Sequence, residues 1–259
     1  MRTSVAFLPA FLLAILLAGC VAPPPRAERG TPAAPAVVVP IPDARAALLA
    51  AVAAAAPDAD PQVLGMALRA RDCALAHGDA GAATRLAVID YSRPSTARRL
   101  WVFDLQAQPR LLFAEHVAHG RGSGENVAAR FSNAEGSLQS SLGLFATAET
   151  YAGQHGYSLR LDGLEPGFND HARERAIVMH GAWYVDPALA GTQGRIGRSQ
   201  GCPAVREGIA RPMIDALRDG QLLFAYYPDP EWLARSRLLA CDATQAPAES
   251  TARLHVLPR

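Results

Sequence analysis

Leu86-Ala87-Val88-Ile89-Asp90-Tyr91 and Arg99-Leu100-Trp101-Val102-Phe103-Asp104 set the fold class. Each is a short run of aliphatic and aromatic residues, and Pro94 lies in the segment between them. Residues 111–117, 142–146, 157–161 and 176–179 repeat the pattern, with Gly, Pro, Asn and Asp separating the runs. A helix is predicted over 205–217 and a further strand over 222–227. Many short strands with few helices predict a mainly-β domain over residues 85–241, either a sandwich or a barrel.

Upstream the texture is different. Residues 43–84 are rich in Ala and Leu, with Asp43 as an expected N-cap after Pro42. Pro57-Asp58-Ala59-Asp60-Pro61 breaks the segment in two, and Val63, Met66, Ala67, Ala70 and Ala74 recur at helical spacing. This predicts an α-helical preface, an α-hairpin packed on the β domain. Farther upstream, residues 21–42 hold Pro23, Pro24, Pro25, Pro32, Pro35, Pro40 and Pro42 among Ala and Val. Such a segment forms neither helix nor central strand and is expected to be a semi-extended tether, residues 20–42. Residues 1–19 carry Arg2, an apolar run from Val5 to Leu17, and Leu17-Ala18-Gly19 before Cys20. The run is too short for a comfortable bilayer span and is expected to be a signal peptide. At the other end, residues 242–259 are polar and Ala/Pro-bearing, a loose tail in which 254–257 could dock as a short edge.

Composition removes several function classes. Of 259 residues, 25 are Lys or Arg and 24 Asp or Glu, a net charge of +1 that offers nucleic acid no electrostatic footprint. Every one of those 25 is Arg. The absence of lysine excludes a P-loop lysine, a Schiff-base enzyme and a Ser-Lys dyad.

The four cysteines divide unequally. With Cys20 at the signal boundary, Cys73, Cys202 and Cys241 remain. Export would place them in an oxidising compartment, where exposed thiols pair and an odd number leaves one over. Cys73 lies in the helical preface and Cys241 near the end of the domain, so a disulfide between them could staple the two ends. Cys202 lies in Gly197-Arg198-Ser199-Gln200-Gly201-Cys202-Pro203, a glycine-framed loop. A thiol there needs a base, because its ordinary pKa of about 8.5 leaves it protonated at neutral pH. His180 follows the apolar run Ile177-Val178-Met179 and precedes Gly181, whose carbonyl could orient the imidazole. Gly201 would let an acyl carbonyl approach closely, and the Cys202 amide could donate to its oxyanion, whereas Pro203 has no N–H to offer. By spacing alone two readings stand: a Cys-His acyl-transfer site, or a structural cysteine beside a core histidine.

The motifs resemble a known family. His180-Gly181-Ala182 followed by Ser199-Gln200-Gly201-Cys202 is similar to the His-Gly-x and Ser/Thr-x-Gly-Cys signature of murein L,D-transpeptidase catalytic domains (YkuD-like). Val117-Ala118-His119-Gly120-Arg121-Gly122-Ser123-Gly124, Phe131-Ser132-Asn133, Ser140-Ser141-Leu142-Gly143 and residues 151–159 complete the resemblance, which spans about residues 85–228. It implies an L,D-transpeptidase-type β-sandwich, no cofactor and no metal, and peptidoglycan stem peptides as substrate. By position it implies Cys202 as nucleophile, His180 as base oriented by the Gly181 carbonyl, and an oxyanion loop shaped by Ser199, Gln200 and Gly201. The N-terminus resembles a bacterial lipobox with Cys20 as the lipidated residue, which implies a membrane-anchored monomer on the periplasmic side. The uncharged Val21 is compatible with outer-membrane sorting. Removing residues 1–19 takes away Arg2 and leaves the mature chain formally neutral.

Two positions depart from the family pattern. Gln200 stands where many members carry His, and Ala204 where many carry Arg. Arg198 or Arg206 is expected to supply the missing guanidinium, since its fork fits a carboxylate. His119 and Tyr184 are further candidates for substrate contact. Trp183 and Tyr184 follow the base and either wall the cleft or pack in the core. The glycines of 120–124 are expected to serve a substrate-lining or structural loop, with no lysine after them to make a phosphate loop. His116, His119, His155 and His171 match no compact metal-ligand spacing. Transfer to an amine, to water or to a free D-amino acid uses the same site, so a transpeptidase, a carboxypeptidase or endopeptidase, or an exchange enzyme is open, beside a wall-binding lipoprotein without turnover.

Overall fold

A computed structural model describes residues 44–241. The signal, tether and tail readings, Cys20 and the Asp43 cap lie outside the described residues. Two helices come first, α1 (Ala44–Ala55) and α2 (Pro61–His77). Asp60 caps α2 by accepting the Gln62 N–H at 2.7 Å, Pro61 occupies a first-turn position that needs no donor, and Gly78 closes the helix in a left-handed conformation. The apolar side of α2, with Leu64, Leu68 and Cys73, joins the same buried core as Trp101, Phe103 and Phe224 of the sheet. Among the described residues no helix is long and apolar enough to cross a membrane.

The sheet has eight strands: β1 (Arg85–Asp90), β2 (Leu100–Asp104), β3 (Arg110–Glu115), β4 (Gly143–Gly153), β5 (Gly156–Gly163), β6 (Val178–Gly181), β7 (Ala204–Val205) and β8 (Leu222–Tyr226). Their spatial order is β3-β2-β1-β8-β4-β5-β6-β7. The β1–β8 and β6–β7 pairs are parallel and the rest antiparallel. The sheet then curls back on itself. Ala118, just beyond β3, donates its N–H to the Ala204 carbonyl of β7 at 2.8 Å, so the two edges meet and one continuous, nearly closed sheet forms. The mainly-β expectation thus takes its barrel-like form. Closure also removes most of the exposed edge that an open sheet would present.

Several boundaries differ from the sequence reading, each for a local reason. The helix expected from residue 205 is α4 (Glu207–Leu217), because Ala204 and Val205 pair with β6 instead. Ala176 does not open β6; it adopts φ +52 in a turn, and the strand starts at Val178. The strand expected over 142–146 runs on to Gly153, where its hairpin with β5 offers pairing that hydrophobicity does not announce. Three short helices, α3 (Ala188–Gln193), α5 (Pro230–Arg235) and α6 (Arg237–Ala240), were not anticipated. Asp229 and Ser236 cap the last two through side-chain oxygens, a signal visible in the sequence but shorter than any periodicity window.

Candidate active site

The register of two parallel strands assembles the site. His180 of β6 lies level with Ala204 of β7, and Cys202 sits two residues before Ala204. The thiol rests against the backbone of the β6 segment, where Cys202 Sγ accepts the Val178 N–H at 3.5 Å and donates to the Ala176 carbonyl at 3.7 Å. It is partly exposed and is the free cysteine among the described residues. Cys73 and Cys241 are joined to each other, their Cα atoms 6.2 Å apart.

His180 is buried, and its Nδ1 lies 2.9 Å from the Gly181 carbonyl. A carbonyl only accepts, so Nδ1 carries the hydrogen and Nε2 keeps the lone pair, the tautomer required of a general base. Burial holds its pKa below the ordinary imidazole value; the Gly181 carbonyl opposes that shift and the neighbouring His155 adds to it. His155 sits at the turn of the β4–β5 hairpin and stacks on His180, with ring centroids 4.4 Å apart and planes inclined by 20°. Burial also pushes the Cys202 thiol up, against the Val178 N–H and the positive charge of Arg175. Both shifts favour the neutral forms. The resting site is therefore thiol and free imidazole. Among the described residues His180 makes no direct hydrogen bond to Sγ.

Four hydrogen bonds hold the turn before the thiol. Ser199 Oγ accepts the Gly201 N–H at 3.1 Å and donates to the Cys202 carbonyl at 2.6 Å. Ser140 Oγ accepts the Gly120 N–H at 3.0 Å and donates to the Gly201 carbonyl at 2.9 Å. Gly201 has φ +130, which a side chain would oppose. A Cβ on Gly120 would come within 2.9 Å of Gly201, so the glycine-rich loop of 120–124 serves close packing behind the thiol. With the Gly201 N–H spent on Ser199, the Cys202 N–H remains beside its own thiol as a donor not committed to a carbonyl. Gln200 is exposed at the apex of the turn.

Three candidates from the sequence stand differently in space. His119 is fully buried, its Nδ1 2.7 Å from Arg99 Nη2 and its Nε2 3.3 Å from the Gly124 carbonyl. Burial, with Arg99 beside it, lowers its pKa to about 4. It braces the interior of the loop and has no path to substrate, so the substrate-contact reading is withdrawn. Arg198 donates to the Gly124 carbonyl at 2.9 Å and to Glu125 at 2.7 Å. Arg206 forks onto Glu115 at 2.5 and 3.0 Å. Both guanidiniums are already compensated by carboxylates of this chain, so neither presents the free fork expected of it. Tyr184 does remain at the site: half-buried beside Gly197, its phenol is pushed up to about 12 by burial and by the Cys202 charge. Trp183 next to it is 73% exposed and meets Tyr184 edge-on at 5.9 Å.

Arg175 was missed. Its Nη1 donates to the Ser132 carbonyl at 2.7 Å and Ser141 Oγ at 2.6 Å, and its Nη2 to Ser137 Oγ at 3.1 Å and the Gln139 carbonyl at 2.7 Å. In sequence it belongs to the charged run Arg173-Glu174-Arg175. No local pattern sets it apart. The histidines considered for metal are dispersed: His116 bonds the Thr96 carbonyl, His119 is interior, His155 stacks on His180 and His171 is exposed. Among the described residues, the one trio with converging ligand atoms is Cys73, His77 and Cys241, where the two sulfurs are bonded to each other.

The nearly closed sheet thus places a free thiol, in the turn before β7, next to a histidine of β6 held by a backbone carbonyl. The sequence profile of the L,D-transpeptidase catalytic domain matches residues 55–226, more than half of the chain, and the protein belongs to that family. No curated protein matches in sequence. Among solved structures, similarity is found to an L,D-transpeptidase from Mycobacterium smegmatis, at 14% identity over 56% of this chain and 59% of that one, with a TM-score of 0.35. An L,D-transpeptidase from Stackebrandtia nassauensis is 12% identical over 71% of this chain and 78% of that one, with a TM-score of 0.34. Mycobacterium tuberculosis L,D-transpeptidase 1 is 12% identical over 56% and 62%, with a TM-score of 0.31. This chain thus spans about three-fifths of the M. smegmatis protein's length. The family assignment rests on the profile match.

Proposed function

We propose that the protein is a peptidoglycan-modifying cysteine acyltransferase, a murein L,D-transpeptidase in which Cys202 is the nucleophile and His180 the base. The observation that carries this reading is the His180 tautomer, fixed by the Gly181 carbonyl so that Nε2 is the free lone pair on the strand beside the thiol. In the reaction the Cys202 S–H turns from the Ala176 carbonyl and passes its proton to Nε2. The thiolate attacks the carbonyl of the L-centre of a diaminopimelate residue in a stem peptide, forming a tetrahedral oxyanion at the Cys202 N–H. Collapse breaks the amide, and His180 returns the proton to the departing terminal D-amino acid. An acceptor amine then attacks the thioester, gives its proton to His180 and releases Cys202 as the product amide forms. Water in place of the amine would make a carboxypeptidase of the same site.

The site of action goes with this reading. Cys20 would carry a lipid, and residues 20–42 would tether the domain to an envelope membrane, within reach of the wall. Protein beginning after Cys20, incubated with a purified disaccharide-tetrapeptide and followed by mass spectrometry beside C202A, tests the chemistry. Loss of the terminal D-alanine with dimer formation, absent in C202A, is the expected result. Loss without dimers would replace the transferase by a hydrolase. Binding without turnover, unchanged in C202A, would leave a wall-binding module.

A further inference from the structure

Three guanidiniums lie around the Cys202 turn, and they are not equivalent. Arg198 is paired with Glu125 and Arg206 with Glu115. Arg175 is held by four hydrogen bonds, and all four acceptors are neutral: two backbone carbonyls and two serine hydroxyls. No carboxylate balances its charge, although it is half-buried where desolvating a cation is costly. Four neutral oxygens locate a guanidinium without neutralising it. What remains unsatisfied is a positive charge aimed at whatever lies beyond the fork.

The Cys202 turn lies beyond it. A Cβ placed on Gly201 would fall 3.6 Å from Arg175 Nη2, and 2.9 Å from the Gln139 carbonyl that Nη2 already holds. On the chain side, Ala176 directly after Arg175 takes φ +52 and points its carbonyl at Sγ. On the loop side, Leu138 takes φ +58 between Ser137 and Gln139, both held by Nη2. Two non-glycine residues in the left-handed region are uncommon, and here they flank one guanidinium. The backbone is bent on both sides to bring this cation to the turn. The groups that titrate or carry charge around Sγ are His180 on β6 with His155 stacked behind it, Tyr184 after β6, Tyr91 at the end of β1, and Arg175. Arg175 supplies the standing positive charge among them.

We propose that Arg175 is the positioning residue of the nucleophile: an uncompensated guanidinium that holds the Cys202 thiolate when it forms and locks the loop of 132–141 against the Gly201–Cys202 turn. The proton goes from Sγ to His180 Nε2, and Arg175 exchanges none; it stabilises charge at the sulfur and leaves the neutral resting thiol largely alone. The inference rests on Cys202 being the nucleophile, but its test requires no wall substrate, so failure of the peptidoglycan reading would leave it standing.

The experiment follows iodoacetamide alkylation of Cys202 as a function of pH, with circular dichroism as a fold check. R175Q should raise the alkylation midpoint by about one pH unit and slow alkylation at neutral pH about tenfold, because a nearby cation lowers a thiol pKa by that order. R175K, which keeps the charge without the fork, should lie nearer to the unmutated protein. S141A removes one bond of the fork but no charge and should leave the midpoint in place. Equal midpoints in R175Q and the unmutated protein would overturn the proposal, leaving Arg175 as a loop brace. A second readout serves if R175Q does not fold. In the unmutated protein the Arg175 Nε–H resonance in a ¹⁵N spectrum should titrate with the thiol midpoint, and C202S should abolish that titration. A resonance indifferent to thiol ionisation would equally overturn it.

Discussion

Among the described residues two cysteine–histidine pairs stand out, and they are built differently. In α2, His77 lies one turn after Cys73, its Nδ1 2.8 Å from the Cys73 carbonyl and 3.6 Å from the sulfur. In the sheet, His180 Nδ1 lies 2.9 Å from the Gly181 carbonyl, on the strand beside the Cys202 turn. Each imidazole is anchored through Nδ1 to a backbone carbonyl. The sulfurs part company: Cys73 is bonded to Cys241, 168 residues away, while Cys202 is free beside a glycine turn and a guanidinium. On the reading proposed above, residue type and proximity to histidine do not by themselves make a nucleophile. A donor at the oxyanion position, a base with the right tautomer and a charge field are needed as well.

The largest effect that would break this contrast is expected at Cys202. C202A should lower acyl transfer by at least about a thousandfold, as loss of a covalent nucleophile does. C73S with C241S should leave turnover per folded molecule near that of the unmutated protein. Activity surviving in C202A, measured by product mass, would reverse the roles assigned to the two sites.

The staple should show itself in stability instead. Opening a disulfide that closes so long a loop costs on the order of 3 kcal/mol, so C73S with C241S should melt well below the unmutated protein. Thermal melts with and without reductant check this. The same reductant should leave the melting of the double variant unchanged.

Acid should weaken the proposed Cys202–His180 pair through its histidine. His180 and His119 are both held below the ordinary value of about 6.5, His119 to about 4, so in acid the unfolded chain binds protons that the folded chain refuses. Their contribution to stability is complete above that ordinary value and is lost as pH falls toward the folded values. Turnover should likewise persist below pH 6.5, its acid limb marking protonation of Nε2. Melting temperatures and rates across pH 4–8 measure both, and an acid limb at or above 6.5 would contradict a depressed His180.

The smallest effect expected is at the stacked ring. H155A removes a charge that lowers the His180 pKa and uncovers part of that imidazole. The acid limb should rise by a few tenths of a pH unit, about a twofold loss of rate near it. An unchanged limb would show that the stack does not tune the base.

Legibility followed the range of each interaction. Strands β1, β2 and β8 were readable to within a residue or two, because each is a contiguous apolar run whose burial is decided locally. The α2 helix was readable from its spacing and its Asp60-Pro61 start. Cys202 and His180 stood out as a glycine-framed cysteine and a histidine ending an apolar run. Two-residue β7 was not readable, since its pairing depends on β6 and on Ala118 coming round to meet it. His119 and Arg206 misled for a related reason: polar residues beside a motif invite a substrate role, and only their partners, Arg99 and Glu115, assign them to structure. Arg175 was hidden in a charged run because its acceptors lie 34 to 43 residues away.

What the chain determined by itself was the mainly-β class, the helical preface, and the thiol and imidazole proposed above for the chemistry. These follow from hydrophobic periodicity, turn residues and the few side chains able to act as nucleophile and base, all properties of short segments. The tertiary structure alone decided that the sheet nearly closes, which tautomer His180 takes, and which arginine beside the Cys202 turn is left without a carboxylate. Those depend on charges and hydrogen-bond partners brought together from distant segments, and electrostatics at a few ångströms is a property of position in space rather than of order along the chain.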